Sequence, residues 1–337
     1  MGIDIVTGGA GFIGSHLVDR LISDSSRTIR VIDNFSSGSA HNLIQHASNK
    51  RVDVVEADLA DCRDIEKLFD GAERVFHLAA LADIVPSINN PEAYFRSNVD
   101  GTFNVIQQSK RVGVKRLIYA ASSSCYGIPD RYPTPETAEI RPQYPYALTK
   151  RLGEELVMHW SQVYNLPAVS LRFFNVFGPR SRTSGSYGAV FGVFLAQVIA
   201  GKALTVVGNG EQTRDFTFVT DIVDAIMAAA KSDVVGKIYN VGSGGTYSIN
   251  RLVELLGAEE VVHIPKRPGE PDCTWADTRK IESEIGWSAR TSFEQGVKVM
   301  LQNIEFWKDA PVWTPETISD ATKDWFKFLA TENELKK

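Results

Sequence analysis

The run Thr7-Gly8-Gly9-Ala10-Gly11-Phe12-Ile13-Gly14 directly follows a short apolar segment, Ile3-Asp4-Ile5-Val6, at the start of the chain. Strand, glycine turn and helix in that order build a seat for a dinucleotide pyrophosphate. Gly9, Gly11 and Gly14 fit G-x-G-x-x-G, and Gly8, Gly11 and Gly14 fit the variant with two residues between each pair. Without Cβ atoms, Gly8 and Gly9 can take the tight turn, and Gly11 lets a diphosphate approach the backbone. Gly14 lets the next helix, expected over Ile13–Ser23, pack closely on the strand while its free N–H groups face the phosphates.

Glycine turns are common in α/β proteins, so the pattern alone says little. Its context says more. Ile29-Arg30-Val31-Ile32 reads as a second strand, and Asp33 ends it. Asp33 stands about 20 residues after the turn, where a carboxylate takes the adenosine ribose hydroxyls. A carboxylate repels a 2′-phosphate, and Asn34, Phe35 and Ser36 follow with no Arg among them. NAD is therefore expected over NADP.

Alternation of strand-like and helix-like segments continues through the first half. Val52–Glu56, Arg74–Leu78, Arg116–Ala120 and Ala168–Phe173 read as strands; Ile65–Phe69, Pro91–Arg111 and Tyr146–Tyr164 read as helices. Continuous β-branched runs separated by helices predict a doubly wound parallel sheet with ligand sites at the strands' carboxyl ends. After Phe174 the strands become shorter, and glycine, proline and arginine crowd Gly178–Gly192. This divides the chain into a dinucleotide-binding domain over 1–174 and, over 175–337, mainly a smaller mixed α/β lobe with a C-terminal helix. On that helix Ile318, Ala321, Trp325, Phe328 and Leu329 share a face, ahead of a polar tail.

Composition closes off several function classes. A net charge of −5 without a long basic cluster argues against a nucleic-acid surface. Phosphates must then be held by a few placed arginines and helix N-termini. Cys62, Cys125 and Cys273 are far apart with no C-x-x-C, which suggests neither disulfides nor a metal site and suits a reducing cytoplasm. The N-terminus has no basic n-region, and no segment approaches a membrane span, so a cytoplasmic protein is expected.

Tyr146-Ala147-Leu148-Thr149-Lys150 is the second informative signal. Positions i and i+4 share a helix face, so the phenol and ammonium point the same way. Lys150, together with a positive nicotinamide ring, is expected to lower the tyrosine pKa from about 10 by roughly 3 units and make it a base. An isolated Tyr-x-x-x-Lys is more often a surface pair. Here, however, Ser122-Ser123-Ser124-Cys125-Tyr126-Gly127 lies at the end of the fifth expected strand, where a hydroxyl can share the substrate oxygen with Tyr146.

These residues resemble the extended short-chain dehydrogenase/reductase family, in its NAD-dependent sugar-nucleotide epimerase/dehydratase branch. The resemblance runs from Gly2 to about Asn303. It rests on TGGAGFIG, Asp33-Asn34, His77-Leu78-Ala79-Ala80, Ser97-Asn98-Val99-Asp100-Gly101-Thr102, SSSCYG, YALTK, Arg172 to Pro179, Arg214-Asp215-Phe216 and Arg267-Pro268-Gly269-Glu270.

The resemblance implies Tyr146 as base, Lys150 as its partner and holder of the nicotinamide ribose, and Ser122 as the hydroxyl partner. Ser123 and Ser124 line the sugar pocket. For the cofactor it implies Gly8, Gly11, Phe12, Ile13, Gly14, Asp33, Asn34, Asp58, Leu59, Leu78, Ala79, Ala80 and Asn98. For the substrate it implies Asn175 at the diphosphate, Arg214 and Arg267 as guanidinium clamps, and Glu270 on the nucleoside ribose. His77 and Cys125 are expected to be packing residues.

Members of this branch begin by oxidising a sugar hydroxyl, usually at C4. Dehydratases need an Asp-Glu pair or a Glu just after the hydroxyl residue. Ser123 and Ser124 occupy those places and cannot do that work. The resemblance therefore implies a nucleotide-sugar 4-epimerase, with UDP-sugars favoured: Tyr146 takes the proton, hydride passes to bound NAD, and hydride returns to the opposite sugar face. The Ser-rich loop and Phe173-Phe174-Asn175 look most like enzymes acting on N-acetylated or other C2- or C6-varied hexoses. Two alternatives remain: a 4-dehydrogenase releasing a 4-keto sugar with NADH retained, and a non-catalytic dinucleotide-binding regulator. The helices Pro91–Arg111 and Tyr146–Tyr164 resemble the pair that forms a homodimeric four-helix bundle.

Overall fold

The structure, a computed structural model, describes residues 2–61, 65–181 and 188–330. Cys62, most of the loop between Arg180 and Gly188, and the polar tail after residue 330 lie outside the described residues.

Strands that are apolar on both faces need cover on both faces, and helices supply it here. β1 (Ile3–Thr7), β2 (Thr28–Asp33), β3 (Val52–Glu56), β4 (Ala72–His77), β5 (Arg116–Ser122) and β6 (Ala168–Phe173) run in the main sheet. Every residue of β6 is buried, as are the first six of β5. β7 (Val176–Phe177), β8 (Leu204–Val207), β9 (Thr213–Arg214) and β10 (Thr217–Phe218) leave that sheet, and β11 (Lys237–Val241) returns to it. The order is β11-β6-β5-β4-β1-β2-β3, with every neighbouring pair parallel. Strand order reverses between β1 and β4, and a ligand crevice opens at the carboxyl ends there. The fold is the doubly wound sheet expected from the sequence.

The second lobe is built from two-stranded pairs: β7 with β10, β9 with β12 (Tyr247–Ser248), and β8 with β13 (Val261–Ile264). Its core is aromatic. Phe216 stacks on Phe293 at 5.0 Å, and Phe177 stacks on Phe191 at 4.7 Å. The sequence division at 174 is not a clean spatial one. Helix Val219–Lys231, β11 and helix Arg279–Ile285 pack with Val6, Leu17 and Val31 in the core of the sheet.

Helix Phe12–Asp24 starts at Gly11 with no side-chain cap, so its first N–H groups stay available. The expected helix Pro91–Arg111 runs from Pro91 to Val112, with a π-helical turn over Arg96–Asp100. Helix Pro145–Tyr164 carries Tyr146 and Lys150. The C-terminal helix breaks in two, Pro315–Ala321 and Lys323–Leu329, because the Thr322 hydroxyl bonds back to Ile318 O at 2.8 Å and its backbone leaves the helical region. After the break Ile318 and Trp325 stay buried, but Phe328 faces solvent at 61% exposure, off the expected common face. Among the described residues no helix is long and apolar enough to cross a membrane, and no His, Cys, Asp or Glu cluster could hold a metal.

Candidate active site

A groove of about 1110 Å³ follows the crevice. Gly8, Gly11, Phe12, Ile13, Gly14, Asp33, Asn34, Asp58, Leu59, Leu78, Ala79 and Ala80 all line it. Two glycines are dictated by geometry. Gly8 has φ +70°, and a Cβ there would stand 2.7 Å from the Ala79 backbone. A Cβ on Gly14 would stand 2.1 Å from Gly8 O. Asp33 is pinned by N–H donors from Ala10 and Phe35, both at 2.9 Å, while burial pushes its carboxyl pKa up. Asp58 is braced by Arg96. The uncapped helix start, the close-packed glycine turn and the Asp33 carboxylate fit a dinucleotide.

Asn98 stands apart from this set. It is 1% exposed, and its amide is spent on both backbone groups of Leu81, at 2.8 and 3.0 Å, and on Thr149 Oγ1 at 3.0 Å. It fixes the loop after β4 to the helix of Tyr146 and, like Ser122, Tyr146 and Lys150, is not among the residues lining the groove.

Ser122, at the end of β5, stands beside Tyr146, at the start of helix Pro145–Tyr164. Ser122 Oγ is held by Ser124, through the latter's hydroxyl at 2.8 Å and its N–H at 3.2 Å. The proton affinity of Tyr146 differs from the expectation. Burial pushes its pKa above the ordinary phenol value; Ser122 pulls it down, and Asp83 and Cys125 push it further up. Lys150 does not supply the opposing pull. Its Nζ lies over the Tyr119 ring, 4.6 Å from the centroid, and burial pushes its pKa down to about 7 against the raising influence of Glu154. Without the nicotinamide charge, the phenol is not pre-ionised.

Two buried networks flank this region of the sheet. His77 joins Thr7 at 2.7 Å and Thr102 at 2.9 Å, tying β1 and β4 to the helix Gly101–Val112; desolvation pushes its pKa down to about 3. On the other side Arg172 donates to Glu154 at 2.7 Å and to the Tyr126 hydroxyl at 2.7 Å. Tyr126 in turn donates to Asn240 on β11 at 2.7 Å. Cys125 is buried with its thiol pushed up to about 12, an inert packing group.

Arg214, Arg267 and Glu270 converge in the second lobe. Arg214 donates to Glu270 at 2.9 Å, and Arg267 stands 3.7 Å from the same carboxylate. Asp215, buried, accepts from Ser243 N, Ala276 N and Thr217 Oγ1, which fixes the backbone beside Arg214. Asn175 accepts from Thr274 Oγ1 at 2.7 Å. A second cavity of about 330 Å³ is lined by Arg214, Glu270, Lys266 and the turn Val207-Gly208-Asn209.

A family model described as the NAD dependent epimerase/dehydratase family matches residues 5–242. The chain belongs to this family. A UDP-glucose 4-epimerase of Mycolicibacterium smegmatis is 33% identical over 90% of this chain and 98% of that protein. UDP-glucuronic acid decarboxylase 2 of Arabidopsis thaliana is 33% identical over 89% of this chain and 67% of its own length. Among solved structures, a UDP-N-acetylglucosamine 4-epimerase from Methanobrevibacter ruminantium M1 in complex with UDP-N-acetylmuramic acid superposes with a TM-score of 0.85 at 34% identity, covering 90% of this chain and 98% of that one. The cofactor of this NAD-dependent enzyme is accordingly NAD.

In this epimerase/dehydratase chain, sequence reasoning overlooked Asp83, Glu154 and Arg172. Glu154 could have been found, because it lies four residues beyond Lys150 on the same helix face. Asp83 could not: its influence on Tyr146 comes from how the loop after β4 folds back along the groove.

Proposed function

We propose that this enzyme is a nucleotide-sugar 4-epimerase acting on a UDP-sugar. One observation carries the reading: the hydroxyls of Ser122, Ser123 and Ser124 follow the strand end beside Tyr146, with serines where elimination of a C6 hydroxyl would need carboxyl groups. Bound NAD supplies the hydride acceptor and donor at the sugar's C4. Tyr146 takes the C4 hydroxyl proton while Ser122 holds the same oxygen. Lys150, whose ammonium is disfavoured by burial, anchors the nicotinamide ribose. Arg214 and Arg267 hold the diphosphate, with Asn175 beside it, while Glu270 takes the ribose hydroxyls and the adjoining cavity takes the base. With the nucleotide anchored, the keto sugar turns so that the opposite face of C4 would receive the hydride, and Tyr146 returns the proton to the C4 oxygen.

The relatives that act on UDP-sugars support UDP over other nucleotides. The test is incubation with UDP-, dTDP- and GDP-sugars followed by NMR of the products. An inverted C4 centre without net reduction of NAD supports the epimerase. A stable 4-keto product assigns the dehydrogenase reading, and binding of NAD with no turnover assigns the regulator.

The enzyme is also inferred to be a homodimer. Phe95, Phe103, Leu148, Val163 and Tyr164 expose large apolar side chains on the helices Pro91–Phe95, Gly101–Val112 and Pro145–Tyr164, as a helix-bundle interface with a second copy requires.

A further inference from the structure

The segment Lys323–Leu329 lies beyond residue 242, where the family match ends, yet it reaches the substrate side of the cleft. Trp325 is 3% exposed and touches both halves of the proposed site. Its indole N–H donates to Pro268 O at 2.8 Å. Its ring lies under the Arg267 guanidinium, 5.4 Å from centroid to Cζ. Its other neighbour is Tyr144, at 6.3 Å between centroids, which stacks on Tyr146 at 6.4 Å and 7°. The same helix packs on Ile84–Asn89, directly after Asp83. On the way there, Asn303, Phe306 and Trp313 also line the cofactor groove.

We propose that Trp325 is a positioning residue for the nucleotide-sugar: through Arg267 and Pro268 on one side and Tyr144 on the other, it sets the distance between the diphosphate clamp and the tyrosine base. The physical reason is the pair of contacts on Arg267-Pro268. A guanidinium over an indole face is attracted by the ring quadrupole, more strongly when desolvated. The N–H bond to Pro268 fixes the turn that carries both Arg267 and Glu270. Without the indole, Arg267 can swing fully onto Glu270 and must be recovered by the incoming diphosphate. The C-terminal segment is then part of the substrate site and not only a packing element. This rests on the nucleotide-sugar reading above.

The test uses full-length, NAD-loaded enzyme titrated with UDP, in wild type, Trp325→Ala, Trp325→Phe, Arg267→Met and the Trp325→Phe/Arg267→Met double variant. Trp325→Ala should weaken UDP about tenfold, the worth of a desolvated cation–π contact, and raise KM for the UDP-sugar more than it lowers kcat. NAD affinity should not move. Trp325→Phe should recover only part of the loss, and in the double variant its remaining weakening should vanish against Arg267→Met, since both act through one contact. That non-additivity is read from soluble conservative variants, so it decides the matter even if Trp325→Ala does not accumulate. Additive losses, or unchanged UDP affinity in the Trp325 variants beside a wild type that binds UDP, overturn this inference alone. A wild type that does not bind UDP overturns the nucleotide-sugar reading and this inference with it.

Discussion

Glu154 and Arg172 form an ion pair that is 1% and 2% exposed, closed by bonds of 2.7 and 2.9 Å, one helical turn beyond Lys150. Arg172 lies on β6 and Glu154 on the helix of the base, so the pair fixes that helix to the sheet. Burial alone would push the Glu154 carboxyl up, but Arg172 outweighs it and holds the pKa low.

Removing Glu154 leaves the Arg172 charge buried without its carboxylate partner, whereas removing Arg172 would leave Glu154 its Arg151 partner at 2.6 Å. Glu154→Gln should cost about 3–5 kcal/mol of stability by denaturant titration. Glu154→Gln/Arg172→Met should recover much of that loss, because an apolar replacement of a buried pair is often neutral. A double variant less stable than the single one would show that the pair is held by something else.

Lys150 should make stability depend on alkaline pH. Its folded pKa is depressed to about 7 from an ordinary 10.5, so between those values the unfolded chain binds the extra proton. Stability from this group is therefore lowest below pH 7 and rises as pH climbs toward 10.5. Lys150→Met removes the penalty: it should raise Tm more at pH 6 than at pH 10, while abolishing turnover. An equal Tm change at both pH values would place the lysine in water.

Asp83 pushes the Tyr146 pKa up, and Tyr146 in its proposed role as base works only once deprotonated. Asp83→Asn should move the rising limb of the kcat/KM profile to lower pH. A shift to higher pH, or none, would remove Asp83 from the surroundings of the base.

Dimerisation is checked by light scattering at micromolar concentration. The wild type should be a dimer, and Phe103→Glu with Leu148→Glu should yield a folded monomer. A wild-type monomer at that concentration contradicts the inferred interface.

Much of the fold was legible because its signals are local. Runs such as Val52–Glu56 and Ala168–Phe173 are strands from end to end, and the glycine turn needs no partner to announce itself. Of the candidate site, the groove-lining residues such as Gly8, Asp33, Asp58 and Ala79 were legible because each sits in a short motif. What the chain hides is set by tertiary burial. Tyr146 and Lys150 share a helix face, yet desolvation drives the phenol up and the ammonium down, opposite to a simple attractive pair. Asn98 carries a motif but spends its amide on Leu81 and Thr149. The helix break at Thr322 turns on one hydroxyl bonding backwards, which periodicity cannot register.

The central claim is that the Tyr146 phenol moves the proton on and off a sugar hydroxyl. The most direct measurement compares Tyr146→Phe with wild type on whichever UDP-sugar the wild type epimerises, with NAD content of both determined by release and absorbance. The variant should retain its NAD and lose about a hundred- to ten-thousand-fold in kcat. Turnover near the wild-type rate in an NAD-loaded variant would contradict the account.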